Sequence, residues 1–74
     1  MTLADLKPEQ SGTVREVDMT SPDAVRLMEL GIVPGTSVRV VRFAPLGDPM
    51  EIEARGYNLS LRRAEATAIS IELS

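Results

Sequence analysis

The stretch Leu30-Gly31-Ile32-Val33-Pro34-Gly35, followed by Ala44-Pro45-Leu46-Gly47-Asp48-Pro49, decides the fold of this 74-residue chain. A helical pattern ends where the first stretch begins, and Gly31 stands where a left-handed helix cap is expected. Pro34 prevents a return to helix, and a strand pattern starts at Ser37. The second stretch separates that strand from the next one. These turns predict a short helix followed by a small, bent sheet.

Apolar and polar residues alternate in five short segments that we interpret as strands. Residues 13–18 and 37–43 form the first two, and in both the alternation changes phase midway. Val14 and Val17 cannot both point inward from one straight strand, so a bend or bulge is expected there. The remaining three segments alternate cleanly and cover residues 50–54, 57–61 and 69–73.

A helix is predicted between the first two strands. It begins at Ser21-Pro22-Asp23, because Ser21 can accept a bond from a free amide and proline at the first helical position removes no needed donor. The helix is expected to run for roughly two to three turns. Its apolar side, which we assign to the core rather than to a docking surface, consists of Ala24, Leu27, Met28 and Leu30. Phe43 and Tyr57 take inward positions in their strands and are also assigned to the core.

Together these segments predict a mainly β fold with one short helix, a small SH3-like β-barrel of about five strands. Seventy-four residues leave room for only one core, so residues 1–74 are expected to form a single domain. No apolar run approaches the roughly 20 residues that a membrane-spanning helix needs, and no leader pattern stands at the N-terminus. The chain has no cysteine. We therefore expect a cytoplasmic protein that does not insert into a membrane.

Composition argues against two classes of function. Eleven acidic residues against eight basic ones give a net charge of −3, and only two residues are aromatic, so neither a phosphate-binding face nor a base-stacking platform is expected. The chain also has no histidine, which with the lack of cysteine removes the commonest general base, the thiolate nucleophile and the usual transition-metal ligands. We expect neither a nucleic-acid binder nor an enzyme, and no catalytic residue.

Glu51 and Glu53 form a pair of carboxylates on one face of a strand. The first interpretation is a solvated charged stripe that faces Arg39, Arg42 or Arg62 across the sheet. The alternative is a weak site for a hard cation, although two exposed carboxylates would select poorly for ferrous iron. We assign no metal site and no cofactor.

The loop at residues 45–49 has two interpretations. In one it is a rigid hairpin connection, in which prolines fix the dihedral angles and Asp48 bonds nearby amides. In the other the stiff loop holds Leu46 outward as a contact for a partner, with Asp48 and Pro49 beside it. Arg62 and Arg63, the only adjacent basic pair, are either solvated or meet an acidic patch on the partner. These five residues are the candidate partner-binding set.

Residues 27–36, 40–49, 52–55 and 59–65 together resemble the FeoA family, the small cytosolic proteins of bacterial ferrous-iron uptake. The resemblance extends from about residue 3 to residue 73. It implies the same SH3-like fold. It also implies an accessory or regulatory role toward the membrane permease FeoB, whose cytosolic part is a GTP-binding domain, through protein–protein contact on the cytosolic side.

A second hypothesis is a metal-sensing or regulatory domain, because similar SH3-like domains end some iron-dependent repressors. In such proteins the domain contacts metal or the rest of the same chain. Self-association is open under either hypothesis, since an edge strand of so small a sheet could pair with a second copy.

Overall fold

The computed structural model describes residues 1–74 as a small mainly β protein. A single 3-10 turn, Leu3–Asp5, precedes the first strand. The strands are β1 (Ser11–Val17), β2 (Ser37–Phe43), β3 (Met50–Ala54), β4 (Tyr57–Leu61) and β5 (Ile69–Leu73), and the helices are α1 (Ala24–Glu29) and α2 (Arg63–Ala66). The bounds of β2 to β5 agree with the sequence prediction, and β1 begins two residues earlier than predicted.

The five strands form one antiparallel sheet in the order β4-β3-β2-β1-β5. The pairing register shifts between Val14 and Glu16 in β1 and between Val40 and Arg42 in β2. Both irregularities fall where the alternation changes phase, so the predicted bends are confirmed. Because of the first one, Val14 and Val17 are both buried.

One cluster of 17 buried apolar side chains forms the core. It draws on every strand and also takes Leu3 and Leu6 from the N-terminal segment, Leu27 from α1 and Ala66 from α2. Fully burying one leucine side chain stabilises a fold by roughly 1.5–3 kcal/mol, so the short helices are held by packing rather than by their own propensity.

Helix α1 is shorter than predicted. It has six residues, fewer than two turns, and starts only after Asp23 because the residues before it form a turn in which the Ser21 hydroxyl accepts the Asp23 N–H at 3.2 Å. At its other end Gly31 adopts a φ of +95°, which ends the helix as predicted. Ala24 and Leu27 are buried, but Met28 is exposed, so the apolar face is narrower than the sequence suggested.

Tyr57 is not a core residue, which corrects the sequence prediction. It is the first residue of β4, next to the turn that joins β3 to β4, and it lies at the rim of the core with 47% of its surface exposed. Its hydroxyl donates to the carbonyl oxygen of Leu30 at 2.8 Å and so links the hairpin to the end of α1. Phe43, in contrast, packs against the core as predicted.

Candidate functional site

The loop between β2 and β3 is closed by its own hydrogen bonds. The Ala44 N–H donates to the carbonyl oxygen of Pro49 at 2.9 Å, and the Gly47 N–H donates to that of Ala44 at 2.7 Å. Gly47 has a φ of +90°, which this tight turn requires. Leu46 stands at the tip with 97% of its surface exposed. A stiff loop therefore presents one large apolar side chain to solvent.

Asp48 ties this loop to α2. Its Oδ1 accepts the backbone N–H of Arg63 at 3.1 Å, so the carboxylate satisfies one of the free amides at the start of that helix. The sequence predicts that Asp48 bonds amides of its own loop, but the amide that it accepts belongs to a segment 15 residues away in the chain. This bond brings the loop and the adjacent arginine pair to one end of the molecule.

The two arginines of that pair have different surroundings. The Arg63 guanidinium donates to the carbonyl oxygen of Ala4 at 3.2 Å and lies over the ring of Phe43, 5.2 Å from its centroid. Arg63 is an exposed residue, but its guanidinium is already engaged by these two contacts within the chain. Arg62 is exposed, and its guanidinium forms no hydrogen bond or salt bridge. Of the two, Arg62 is the cation available to a partner.

Glu65 is a buried carboxylate that sequence reasoning missed. It is 6% exposed, accepts the backbone N–H of Arg62 at 2.9 Å and forms an ion pair with Arg26 of α1. The signal was present in the sequence, because a glutamate at the third helical position often reaches back to the residue before the helix. The sequence predicts only one helix, but Arg63–Ala66 form a second one, α2, which this glutamate caps.

A surface cleft of about 400 Å³ lies where these elements meet. It is lined only by polar side chains and a proline: Arg26, Asp48, Pro49, Ser60, Arg62 and Glu65. Three members of the candidate set, Asp48, Pro49 and Arg62, thus border one cleft, with Leu46 projecting from the same loop. Such a cleft suits polar and charged groups of a partner rather than an apolar ligand.

The carboxylates of β3 form the predicted charged stripe. The Arg42 Nε–H donates to Oε1 of Glu51 at 3.0 Å, and the Nε of Arg39 lies 3.4 Å from Oε1 of Glu53. Glu9 adds a second, looser contact to Arg39 at 3.7 Å. Arg62, also considered for this stripe, pairs with none of them. Nowhere do three His, Cys, Asp or Glu side chains gather closely enough to hold a metal ion.

Comparison with known proteins gives one family. The model of the FeoA domain matches residues 1–73. A Porphyromonas gingivalis protein, described as a fusion of Fe(2+) transport protein A and the Fe(2+) transporter FeoB, is 36% identical over 73 residues. That match covers 99% of this chain and 9% of the fusion protein, so the chain spans about a tenth of that relative's length.

Two solved structures share the fold. A FeoA-like protein from Clostridium acetobutylicum is 34% identical with a TM-score of 0.94, over 99% of this chain and 85% of its own. The FeoA of Stenotrophomonas maltophilia, solved in complex with zinc and described as a procaryotic SH3 domain protein, is 36% identical with a TM-score of 0.84, over 97% and 89% of the two chains. The predicted SH3-like fold is confirmed. Neither helix has the length or apolar character to cross a bilayer.

Proposed function

This chain belongs to the FeoA family of ferrous-iron transport, and from that premise we propose that it is a cytoplasmic accessory protein of a FeoB-type permease. It acts by binding the permease and has no catalytic role of its own. One observation carries the proposal: the Porphyromonas gingivalis relative joins a region similar to nearly all of this chain to FeoB in a single polypeptide. Two proteins that work in contact gain from such a fusion, because the tether keeps the partner at high effective concentration.

The contact surface that we propose is the end of the molecule formed by the β2–β3 loop and the start of α2. The loop is held by its own hydrogen bonds and by the Asp48–Arg63 bond, so binding through Leu46 would order little additional chain. Low ordering entropy lets one exposed apolar side chain contribute substantially to affinity. Pro49 and Arg62 border the adjoining cleft, which supplies polar contacts at the rim.

In this proposal the members of the candidate set have different roles. Leu46 and Arg62 contact the permease directly, since both are exposed and neither side chain has a partner within the chain. Asp48 and Arg63 are positioning residues, since one ties the loop to α2 and the other anchors α2 to Phe43.

The test is a pull-down of the permease from detergent-solubilised membranes of cells that express it. Tagged wild type is compared with Leu46→Asp and with Met19→Asp, a control that places the same charge at another exposed apolar position, between β1 and α1. We expect the wild type and Met19→Asp to recover the permease and Leu46→Asp to lose it.

Three other outcomes carry distinct meanings. Equal recovery by all three proteins would keep the accessory role and move the contact away from the loop. No recovery by folded wild type would overturn direct contact with the permease. Equal loss by both aspartate variants would point to a general effect of added negative charge on a chain that already carries −3.

A further inference from the structure

The two edge strands of the sheet, β5 and β4, have different neighbours. At the β5 edge, the N-terminal segment lies alongside: the Ile71 N–H donates to the carbonyl oxygen of Met1 at 3.0 Å, and Thr2 forms an antiparallel bridge with Ser70. At the other edge, β4 pairs with β3 alone. The outer side of β4 therefore has no strand partner, although α1 lies near it: the Tyr57 hydroxyl donates to the carbonyl oxygen of Leu30, and Arg26 lines one cleft with Ser60.

The geometry of the β3–β4 hairpin determines which groups of β4 face outward. The hairpin turns on two residues, Arg55 and Gly56, with φ values of 54° and 86°, as a type I′ turn requires. The pair that flanks such a turn, Ala54 and Tyr57, exchanges hydrogen bonds, and hydrogen-bonded pairs then alternate along the ladder. The N–H and C=O of the intervening residues, Asn58 and Ser60, point away from β3. Neither residue makes a backbone hydrogen bond outside the strand ladders.

Within the strand itself, β4 lacks the features of sequence and register with which proteins usually prevent strand pairing. β4 has the sequence Tyr-Asn-Leu-Ser-Leu, with no charged residue and no proline, and its register with β3 is regular, without a bulge. Arg55 and Arg62 flank it at the two ends. Both are exposed, and neither forms a salt bridge or a side-chain hydrogen bond. The edge is thus neutral along its length and basic at both ends.

We propose that β4 binds an extended segment of the permease, which adds to the sheet as a sixth strand. The segment is expected to alternate apolar and polar residues, with its apolar side chains beside Tyr57 and the half-buried Leu59, and to carry acidic residues at its ends opposite Arg55 and Arg62. This inference rests on the proposed function and names the mode of contact.

The charges favour the permease over a second copy of this chain. If two β4 strands paired antiparallel about Leu59, Arg55 of one copy would lie near Arg62 of the other at both ends of the ladder. Like charges placed together oppose such pairing, whereas acidic ends on a partner strand would complement it.

The area that each partner could bury also favours the permease over a second copy of this chain. Two five-residue strands alone bury far less than the roughly 1,200 Å² typical of a stable complex. A permease segment on β4 has a larger surface available, because Ser60 and Arg62 also line the cleft beside the β2–β3 loop. One partner can therefore cover the strand edge and the loop together.

The first experiment is residue-resolved hydrogen exchange on the chain alone and on the chain bound to detergent-solubilised permease. The Asn58 and Ser60 amides are expected to exchange freely in the free protein and to slow by about tenfold or more in the complex. The Leu59 amide, bonded to β3 in both states, is the internal reference.

The second experiment removes one outward donor. Ser60→Pro eliminates the Ser60 N–H without touching the β3–β4 ladder, since that amide faces away from β3. Ser60→Ala loses the same hydroxyl but keeps the N–H and is the matched control. Recovery of the permease is expected to be about fivefold or more lower for the proline variant than for the alanine variant, because only the proline variant loses the N–H. If the proline variant does not fold, the hydrogen exchange of the Asn58 and Ser60 amides in the wild-type protein tests strand addition instead.

The outcomes separate this inference from the proposed function. If the wild-type protein fails to bind the permease, both strand addition and the proposed accessory role are refuted. If it binds while Asn58 and Ser60 stay unprotected, or while Ser60→Pro binds as well as Ser60→Ala, strand addition is overturned and the accessory role stands. If the two amides become protected in the chain alone as its concentration rises, a second copy is the occupant and the permease segment is not.

Discussion

Replacing Glu65 tests the most unexpected feature of the site, a carboxylate buried in so small a protein. Glu65 accepts the Arg62 N–H and pairs with Arg26, and its side chain is 8% exposed against 54% for that of Arg26. Loss of the bond that caps α2 is expected to cost about 1 kcal/mol. Because one partner of the ion pair is half in water, the pair contributes only about 0.5–1 kcal/mol more.

Glu65→Ala is therefore expected to lower the free energy of unfolding by about 2 kcal/mol. A small further loss comes from the cavity that the missing side chain leaves at the edge of the core. Glu65→Gln keeps the shape and an oxygen for the Arg62 N–H, so it is expected to cost only about 1 kcal/mol. A domain of 74 residues has roughly 4–11 kcal/mol of stability in total, so the alanine variant loses a large share.

Urea unfolding followed by circular dichroism measures these differences, provided that the denaturant slope is the same for all variants. Glu29→Ala is the matched control, since Glu29 is exposed on α1 and forms no salt bridge. It is expected to change stability by less than about 0.5 kcal/mol. The reasoning is refuted if Glu65→Ala costs no more than Glu29→Ala. A double-mutant cycle with Arg26→Ala then isolates the ion pair, for which a coupling of about 0.5–1 kcal/mol is expected.

Two further predictions follow from the core and from the acidic residues. Leu27 is fully buried in α1, and its replacement by alanine is expected to lower the free energy of unfolding by about 2–5 kcal/mol. A measured loss below about 0.5 kcal/mol would show that this helix face is not part of the core. An anaerobic titration with ferrous iron is expected to show only weak, non-stoichiometric binding, because Glu51 and Glu53 are engaged by arginines and no three ligating side chains converge. Tight one-to-one binding would instead favour a metal-sensing role.

The sequence predicts the sheet well because its turns need particular backbone angles. Gly31, Gly47 and Gly56 all have positive φ, and each stands at a boundary that the sequence already indicated. Between these points the alternation of side chains leaves one register with a buried face, and the phase changes in β1 and β2 mark the bulges. Local chemistry was sufficient for all of this.

The errors have a common origin in contacts between distant segments. Tyr57 alternates like a core residue, but its position beside the turn places it at the rim, where its hydroxyl reaches Leu30. Glu65 looks like a solvated charge until Arg26, 39 residues away in the chain, lies against it. Arg63 looks free until its ring partner Phe43 is known. Periodicity describes neighbours in sequence, so it cannot reveal which distant residue a polar or charged side chain will contact.

The loop and the β4 edge are each small surfaces, and this affects how binding should respond to mutation. Where FeoA and FeoB regions share one chain, the tether gives an effective concentration of about 1 mM or more, so one weak contact can be enough. A chain that binds the permease as a separate molecule has no such advantage and must recover the entropy of association from its contacts. If both surfaces are used, Leu46→Asp and Ser60→Pro should each remove most of the measurable binding. Their combination should then cost little more than either alone, since no complex remains to be weakened.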